Sequence, residues 1–72
     1  MKTPEELIAA LKSRKDYWQG IHPNDTKQAL EGFMFSVLTL IDGCSGESGP
    51  IALVDHDTNT EINKDVCLHE ML

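Results

Sequence analysis

The stretch that decides the fold is residues 30–43, LEGFMFSVLTLIDG, in the middle of a 72-residue chain. Apolar side chains recur in it at the spacing of one helical face. They are Leu30, Phe33, Met34, Val37, Leu38 and Ile41. Phe35 and Leu40 fall outside this stripe, so the C-terminal half of the helix is apolar nearly all round. Such a helix is either central in a fold or packed against another subunit.

The helix is predicted to span residues 25–42, because Asn24 or Asp25 can cap its first turn. Gly32 lies inside it, at a cost of roughly 1 kcal/mol relative to alanine. We expect the gain at Gly32 to be the close approach of another backbone. The glycine- and serine-rich residues 43–50 follow the helix and predict a loop.

An earlier helix is predicted over residues 4–19. Thr3 is its expected cap, Pro4 stands at the first helical position, and Glu6 completes a capping box. Gly20 is the expected stop. Residues 21–25 then form a short connection, which makes the two helices antiparallel neighbours.

Beyond the loop, residues 51–54 predict a short apolar strand. Residues 61–72 predict a second short strand, over 61–63, or a turn, with Asn63 as the cap of a terminal helical turn. The whole chain is therefore predicted to be one α+β domain. It has two antiparallel helices with a small β-hairpin or short strands and a C-terminal turn.

Size and charge restrict the function. A domain this short buries only about 60% of the surface of its unfolded chain, and such domains usually need a disulfide, a metal or a partner subunit. The chain has six basic and twelve acidic residues, for a formal net charge of −6, which argues against direct binding to nucleic acid.

No apolar stretch approaches the roughly 20 residues that span a bilayer. Without a signal peptide, the expected location is the cytoplasm, where Cys44 and Cys67 are free, partly buried thiols.

Three patterns are candidates for chemical sites. Backbone amides of the loop, at Gly43, Ser45, Gly46, Ser48 and Gly49, are the groups expected to hold an anion if one binds. A phosphate loop would instead carry G-x-x-x-x-G-K-[ST] before a helix, so a flexible connection is the simpler interpretation. Cys44, Cys67 and His69 are the ligands to test for zinc, but they lack the paired spacing of structural zinc sites. No local signature of a catalytic nucleophile is present, and the sequence predicts a protein that is not an enzyme and has no cofactor.

Excess apolar surface predicts a homodimer. The residues expected at its interface are Phe33, Phe35, Leu38, Leu40 and Tyr17. Tyr17 and Trp18 are adjacent at the end of the first helix, so one is expected to pack on the core and the other to be available to a partner.

Residues 30–36 carry an L-E-G-x-x-F-S pattern, and the same helix ends in D-G at positions 42 and 43. Together with Ile62-Asn63 and Leu68-His69-Glu70, this half of the chain resembles a group of small bacterial and prophage proteins. The polar insert between Val54 and Ile62 is shorter than in that group. The resemblance implies a bacterial or phage source and brings no activity with it.

Two functions follow from these observations. The first is a non-catalytic, acidic interaction module, such as a bacterial or phage regulator or inhibitor that binds a protein partner. The alternative is a protein that binds a small ligand, a nucleotide or another anion, through the Gly43–Gly49 loop at a dimer groove.

Overall fold

The computed structural model describes residues 3–44, 46 and 49–72. Two long α-helices come first, followed by a two-stranded antiparallel hairpin and a C-terminal 3-10 helix. The bounds are α1, Pro4–Ile21; α2, Thr26–Asp42; β1, Val54–Asp55; β2, Thr60–Glu61; and the 3-10 helix, Leu68–Met71. The predicted α+β class is confirmed.

The first helix begins where the sequence predicts and ends two residues later. The Oγ1 atom of Thr3 accepts a hydrogen bond from the backbone N–H of Glu6 at 3.1 Å, which caps the first turn. The helix then runs through Gly20 and is capped by His22. The predicted stop at Gly20 is wrong, because Pro23 sets the end: proline disfavours the helical conformation in the residue before it.

The second helix has the predicted bounds to within one residue. Oδ1 of Asp25 accepts the N–H of Gln28 at 3.0 Å and caps its start. Gly43 closes it in the left-handed region, with φ of 80° and its N–H bonded to the carbonyl of Leu40. A Cβ atom at Gly43 would also lie 2.6 Å from the backbone nitrogen of Pro50. Glycine is therefore required at this turn for both its φ angle and its size.

The two helices pack through a slot for Trp18 on the surface of α2. A Cβ atom on Gly32 would lie 2.2 Å from Cε3 of the indole, so the ring occupies the space that a side chain would need. One turn later, Oγ of Ser36 accepts a hydrogen bond from Nε1 of Trp18 at 2.7 Å. Arg14 donates from Nε to the backbone carbonyl of Ser36 at 3.3 Å. Gly32 thus makes room for the side chain of Trp18, whereas the prediction was the close approach of another backbone.

This packing uses a different side of α2 from the apolar stripe that the sequence predicts. Leu30 and Met34 each lie two residues from Gly32, and residues at that spacing do not share a helix face. They are 63% and 49% exposed. Leu40, which lies outside the stripe, is the one fully buried hydrophobic side chain of the described residues. The core is therefore very small, and the most apolar side of α2 is open at its N-terminal end.

The two strands lie closer together along the chain than predicted, and each shares a single residue with the ranges 51–54 and 61–63. Their register pairs Val54 with Glu61 and Asp55 with Thr60. The turn between them is tightened by Asp55, whose Oδ1 accepts the N–H of Asp57 at 2.9 Å and of Thr58 at 3.3 Å. This polar segment is the connection of the hairpin.

The side chain of Asn63 takes the place of a paired strand at residues 51–53, where the only backbone bond from the hairpin among the described residues is that from the N–H of Ile62 to the carbonyl of Leu53 at 2.7 Å. Its Nδ2 donates to the carbonyl of Ile51 at 2.7 Å, and its Oδ1 accepts the N–H of Leu53 at 2.9 Å. The N–H of Ile51 is in turn bonded to the carbonyl of Ile41 at 2.7 Å. One side-chain amide thus bonds the backbone of this segment, which runs between α2 and the hairpin without becoming a strand.

Asn63→Asp is expected to lower the free energy of unfolding by about 1–2 kcal/mol, because a carboxylate still accepts from Leu53 but cannot donate to Ile51. Urea unfolding followed by circular dichroism measures the change. Asn24→Asp introduces the same charge at an exposed turn position and serves as the control. Equal stability of the two variants would contradict the bridging role of the amide.

Candidate functional site

The C-terminal end of α2 holds the rest of the chain through one carboxylate. Oδ1 of Asp42 accepts the N–H of Leu68 at 3.0 Å, and Oδ2 accepts the N–H of His69 at 2.9 Å. Nδ1 of His69 also lies 2.6 Å from Oδ2. The Asp42 side chain is only 2% exposed, so these contacts replace its water. We call this arrangement the Asp42 latch.

The Asp42 latch corrects the prediction that Asn63 caps the terminal turn. Cys67 is the N-cap residue of the 3-10 helix, but its side chain makes no capping bond. The carboxylate of Asp42, 26 residues before Leu68 in the chain, binds the first free N–H groups instead. A single acidic side chain therefore acts as the cap and joins two distant segments.

The electrostatics of the latch favour the ionised carboxylate. The hydrogen bond from the backbone N–H of His69 is the largest influence on the pKa of Asp42 and lowers it. Burial opposes this effect, while the His69 side chain and the N–H of Leu68 lower the pKa further. The pKa of Asp42 is thus held below the ordinary aspartate value, and the latch is closed when Asp42 is charged.

The latch brings three of the sequence-predicted residues to one end of the molecule. Cys44 and Cys67 are both free and exposed, which corrects the expectation of partly buried thiols. The charge of Glu70 is the largest influence that raises the pKa of Cys67, followed by burial and by the nearby Asp42 and Cys44. His69, 18% exposed in its side chain, has Nδ1 engaged by Asp42.

These side chains are not grouped as a metal site. Within residues 3–44, 46 and 49–72, no group of three or more histidine, cysteine or acidic side chains is arranged to hold an ion. Cys44, Cys67 and His69, the predicted ligands to test for zinc, therefore gain no support from their placement. The two thiols instead lie next to the latch residues in the sequence. Cys44 follows Asp42 by two residues, and Cys67 immediately precedes Leu68.

A cleft of about 650 Å³ opens beside the latch. Its walls come from the end of α2, residues 50–52, the hairpin and the segment before the 3-10 helix. The acidic side chains that line it are Asp42, Glu61, Asp65 and Glu70, and none of the lining residues in the described chain is basic. Cys67 lies on its wall. This part of the surface repels anions such as phosphate.

The loop predicted to hold an anion is only partly described. Ser45 and Ser48 lie outside the described residues. Gly43 is used to end α2, as its positive φ and its contact with Pro50 show. Gly46 has φ of 82°, and a Cβ atom added at Gly46 or at Gly49 would meet open space within 4 Å. Nothing in this geometry of the described part of the loop points to a ligand.

The residues expected at a dimer interface have different surroundings. Tyr17 is 59% exposed and packs edge-on against Trp18, with ring centroids 5.3 Å apart. Phe35 is 44% exposed and stands edge-on to His69 at 5.6 Å. Phe33 and Leu38 are half-buried. Leu40 is completely buried within the chain and so has no surface to offer a partner, which corrects that assignment.

A second cavity, of about 380 Å³, lies at the elbow between the helices. Pro23, Ala29, Leu30 and Phe33 form its apolar wall, and Lys15, Gln19, His22 and Thr26 complete it. The exposed Leu30 therefore borders a recess large enough for an apolar side chain. The sequence-based interface includes neither Leu30 nor Met34, although both lie on the apolar stripe.

Sequence reasoning also missed the role of Asp42, although a signal was present. A negative charge in the last turn of a helix is opposed by the helix dipole. Asp42 occupies that position, and no basic residue shares the last turn. An unfavourable charge at a helix end implies that it has a partner elsewhere, and here the partners are two backbone N–H groups and His69.

No family model, curated protein or solved structure matches this chain. In the described residues, neither helix combines the length and apolar character that crossing a membrane requires.

Proposed function

We propose that this chain is a non-catalytic protein-interaction module that works as a homodimer, in the manner of a small bacterial or phage regulator. The observation that carries the proposal is the exposure of the N-terminal part of the apolar stripe of α2, at Leu30 and Met34. Leu30 and Met34 are 63% and 49% exposed, while α1 covers the side that bears Gly32 and Ser36. Apolar side chains on one helix face, left without a cover, favour association with another protein.

The small core supports the same proposal. Within the described residues, Leu40 alone is fully buried. The large apolar side chains left exposed are Leu7, Ile8, Tyr17, Ile21, Leu30, Met34, Phe35, Val54, Ile62, Val66, Met71 and Leu72. A domain of this size gains little stability from its own core. Burial of apolar surface against a partner stabilises a protein by roughly 25 cal/mol per Å². A domain of this size needs such additional stabilisation.

The distribution of charge favours a second copy as the partner at α2. Residues 1–41, which include both helices except for Asp42, carry five basic and five acidic side chains, so this part of the chain is neutral. Residues 42–72 carry seven acidic side chains and one lysine, which accounts for the whole net charge. Two helical halves can therefore meet without like-charge repulsion, whereas two acidic halves cannot. The acidic half is left to attract a basic protein partner.

The recess at the elbow gives the dimer an anchor point. Leu30 protrudes beside a cavity whose wall includes Phe33, and a two-fold axis near these residues would let each copy place an apolar side chain against the other. Side chains that fill such pockets dominate binding energies. The alternative function is anion binding at the Gly43–Gly49 loop, where Gly43 is already used to end α2.

Leu30→Asp is expected to convert a dimer into a monomer. The substitution puts a charge into the interface from both copies, so it should weaken association by about 100-fold or more. Light scattering across protein concentration should give twice the 8.0 kDa chain mass for the native protein and the chain mass for the variant.

Ile62→Asp is the matched control. Ile62 is 62% exposed, almost the same as Leu30, but it follows β2 in the acidic half of the chain. This variant should remain dimeric, and circular dichroism should show that both variants keep their helices. A native monomer at all concentrations, or equal loss of the dimer in both variants, would contradict the proposal.

A further inference from the structure

We propose that Cys44 and Cys67 form a reversible intramolecular disulfide that locks the Asp42 latch. The thiols are placed for this by the latch itself. Cys44 follows Asp42 by two residues, and Cys67 immediately precedes Leu68, whose N–H is bound by the Asp42 carboxylate at 3.0 Å. The hydrogen bond between Asp42 and Leu68 thus joins the two segments that carry the thiols, at a place close to Cys44 and to Cys67.

The chain reversal at Gly43 supports this placement. The N–H of Cys44 is bonded to the carbonyl of Thr39 at 2.9 Å, which folds Cys44 back onto the last turn of α2. The 3-10 helix packs against this same helix, and Cys67 is its N-cap residue. The electrostatic effect of Cys44 on the pKa of Cys67 agrees with the proximity of the two thiols. Both thiols are exposed to an oxidant in solvent.

The reaction needs a low-molecular-weight disulfide as the oxidant, and glutathione disulfide supplies one. The thiolate of Cys44 attacks one glutathione sulfur and expels a glutathione thiolate, which leaves a mixed disulfide. The thiolate of Cys67 then attacks the Cys44 sulfur and expels the second glutathione thiolate. Two electrons pass from the protein to the oxidant, and the two thiol protons end on the two reduced glutathiones.

The order of these steps follows from the surroundings of Cys67. Glu70, burial and Asp42 raise the pKa of Cys67, so less of this thiol is present as thiolate, and we assign the first attack to Cys44. Once Cys44 carries glutathione, the second attack is intramolecular and its rate benefits from proximity. Cys67 also lines the acidic cleft, so the bond fixes one wall of that cleft to the end of α2. Oxidation would thereby hold together the acidic surface to which, under the proposed function, a basic partner binds.

The test treats the native full chain with a glutathione redox buffer. Intact mass under non-reducing conditions should fall by about 2 Da, from the loss of two hydrogens. The oxidised chain should run as a covalent monomer on a non-reducing gel. Cys44→Ser and Cys67→Ser should each stop at one glutathione adduct, because no second thiol is present to displace it.

The effect on structure is a second readout. The bond closes a loop between residues 44 and 67, so the oxidised protein should melt roughly 10–20 °C above the reduced one. Reducing agent should reverse the shift, and neither serine variant should show it. Stable glutathione adducts on the native chain, covalent dimers, or an oxidised protein that melts no higher than the reduced one would each overturn the proposal.

Discussion

Gly32→Ala is expected to lower the free energy of unfolding by about 2 kcal/mol, although alanine is the better helix former. Helix propensity alone favours the substitution by roughly 1 kcal/mol. The new Cβ, however, would lie 2.2 Å from Cε3 of Trp18, far inside contact distance. The indole must then leave its slot and lose its hydrogen bond to Ser36, and overpacking of this kind typically costs about 1–3 kcal/mol. Urea unfolding measured by circular dichroism gives the value.

A second experiment, in a chain that lacks the indole of Trp18, separates the clash between Cβ and indole from any other effect of the alanine. In a Trp18→Leu chain the ring is gone, so Gly32→Ala should become neutral or stabilise the protein by up to about 1 kcal/mol. The double-mutant cycle should therefore give a coupling energy of about 2–3 kcal/mol. If the alanine costs the same with and without the indole, the slot does not explain the glycine.

Asp42→Ala is expected to release the C-terminal 3-10 helix while α1 and α2 stay folded. The substitution removes both acceptors of the Leu68 and His69 N–H groups and the partner of the His69 ring. Buried donors left without acceptors return to water by local opening. Hydrogen exchange at these two amides should accelerate by roughly 10–100-fold. Asp16→Ala, at a carboxylate that is 72% exposed, is the control and should change neither amide.

Acid should open the latch in the native protein. The pKa of Asp42 is lowered in the folded state, chiefly by the bond from the His69 backbone. Its contribution to stability is therefore fully present above the ordinary aspartate pKa and is lost as the pH falls through the lowered value. Protection of the Leu68 amide should fall across that range, and Asp42→Asn should lack this dependence. Protection that persists at the lowest pH would show that the charge is not what holds the segment.

The helices could be predicted because their signals are local. Thr3, Pro4 and Asp25 stand at the predicted positions, and Gly43 ends α2 in the conformation for which glycine is suited. The strands lie at 54–55 and 60–61, and not at the predicted ranges, for a physical reason. Residues 51–54 have the composition of a strand, but the side chain of Asn63 binds the N–H of Leu53 and the carbonyl of Ile51, two groups that a neighbouring strand would otherwise have paired. The composition of a segment does not reveal that a side chain from elsewhere will bind its backbone.

The side of α2 that packs on α1 could not be predicted from hydrophobicity. Periodicity marks the most apolar stripe, whereas helix packing here depends on a gap at Gly32 and a hydroxyl at Ser36, neither of which is hydrophobic. Leu30 and Met34, members of that stripe, are consequently exposed. The Asp42 latch was missed because its partners are 26 and 27 residues away and two of them are backbone N–H groups, which every sequence contains.

The Asp42 latch also implies an order of events as the chain acquires its structure. The helical hairpin forms from neighbouring segments, and contacts of this kind form quickly because little chain entropy is lost in closing them. The contacts of Asp42 with residues 68 and 69 span 26 and 27 residues of chain, so we expect the acidic half to dock last, onto helices that are already paired. The single tryptophan lies between the two helices and reports the first event. Stopped-flow refolding should therefore show the change in tryptophan fluorescence before the C-terminal amides become protected.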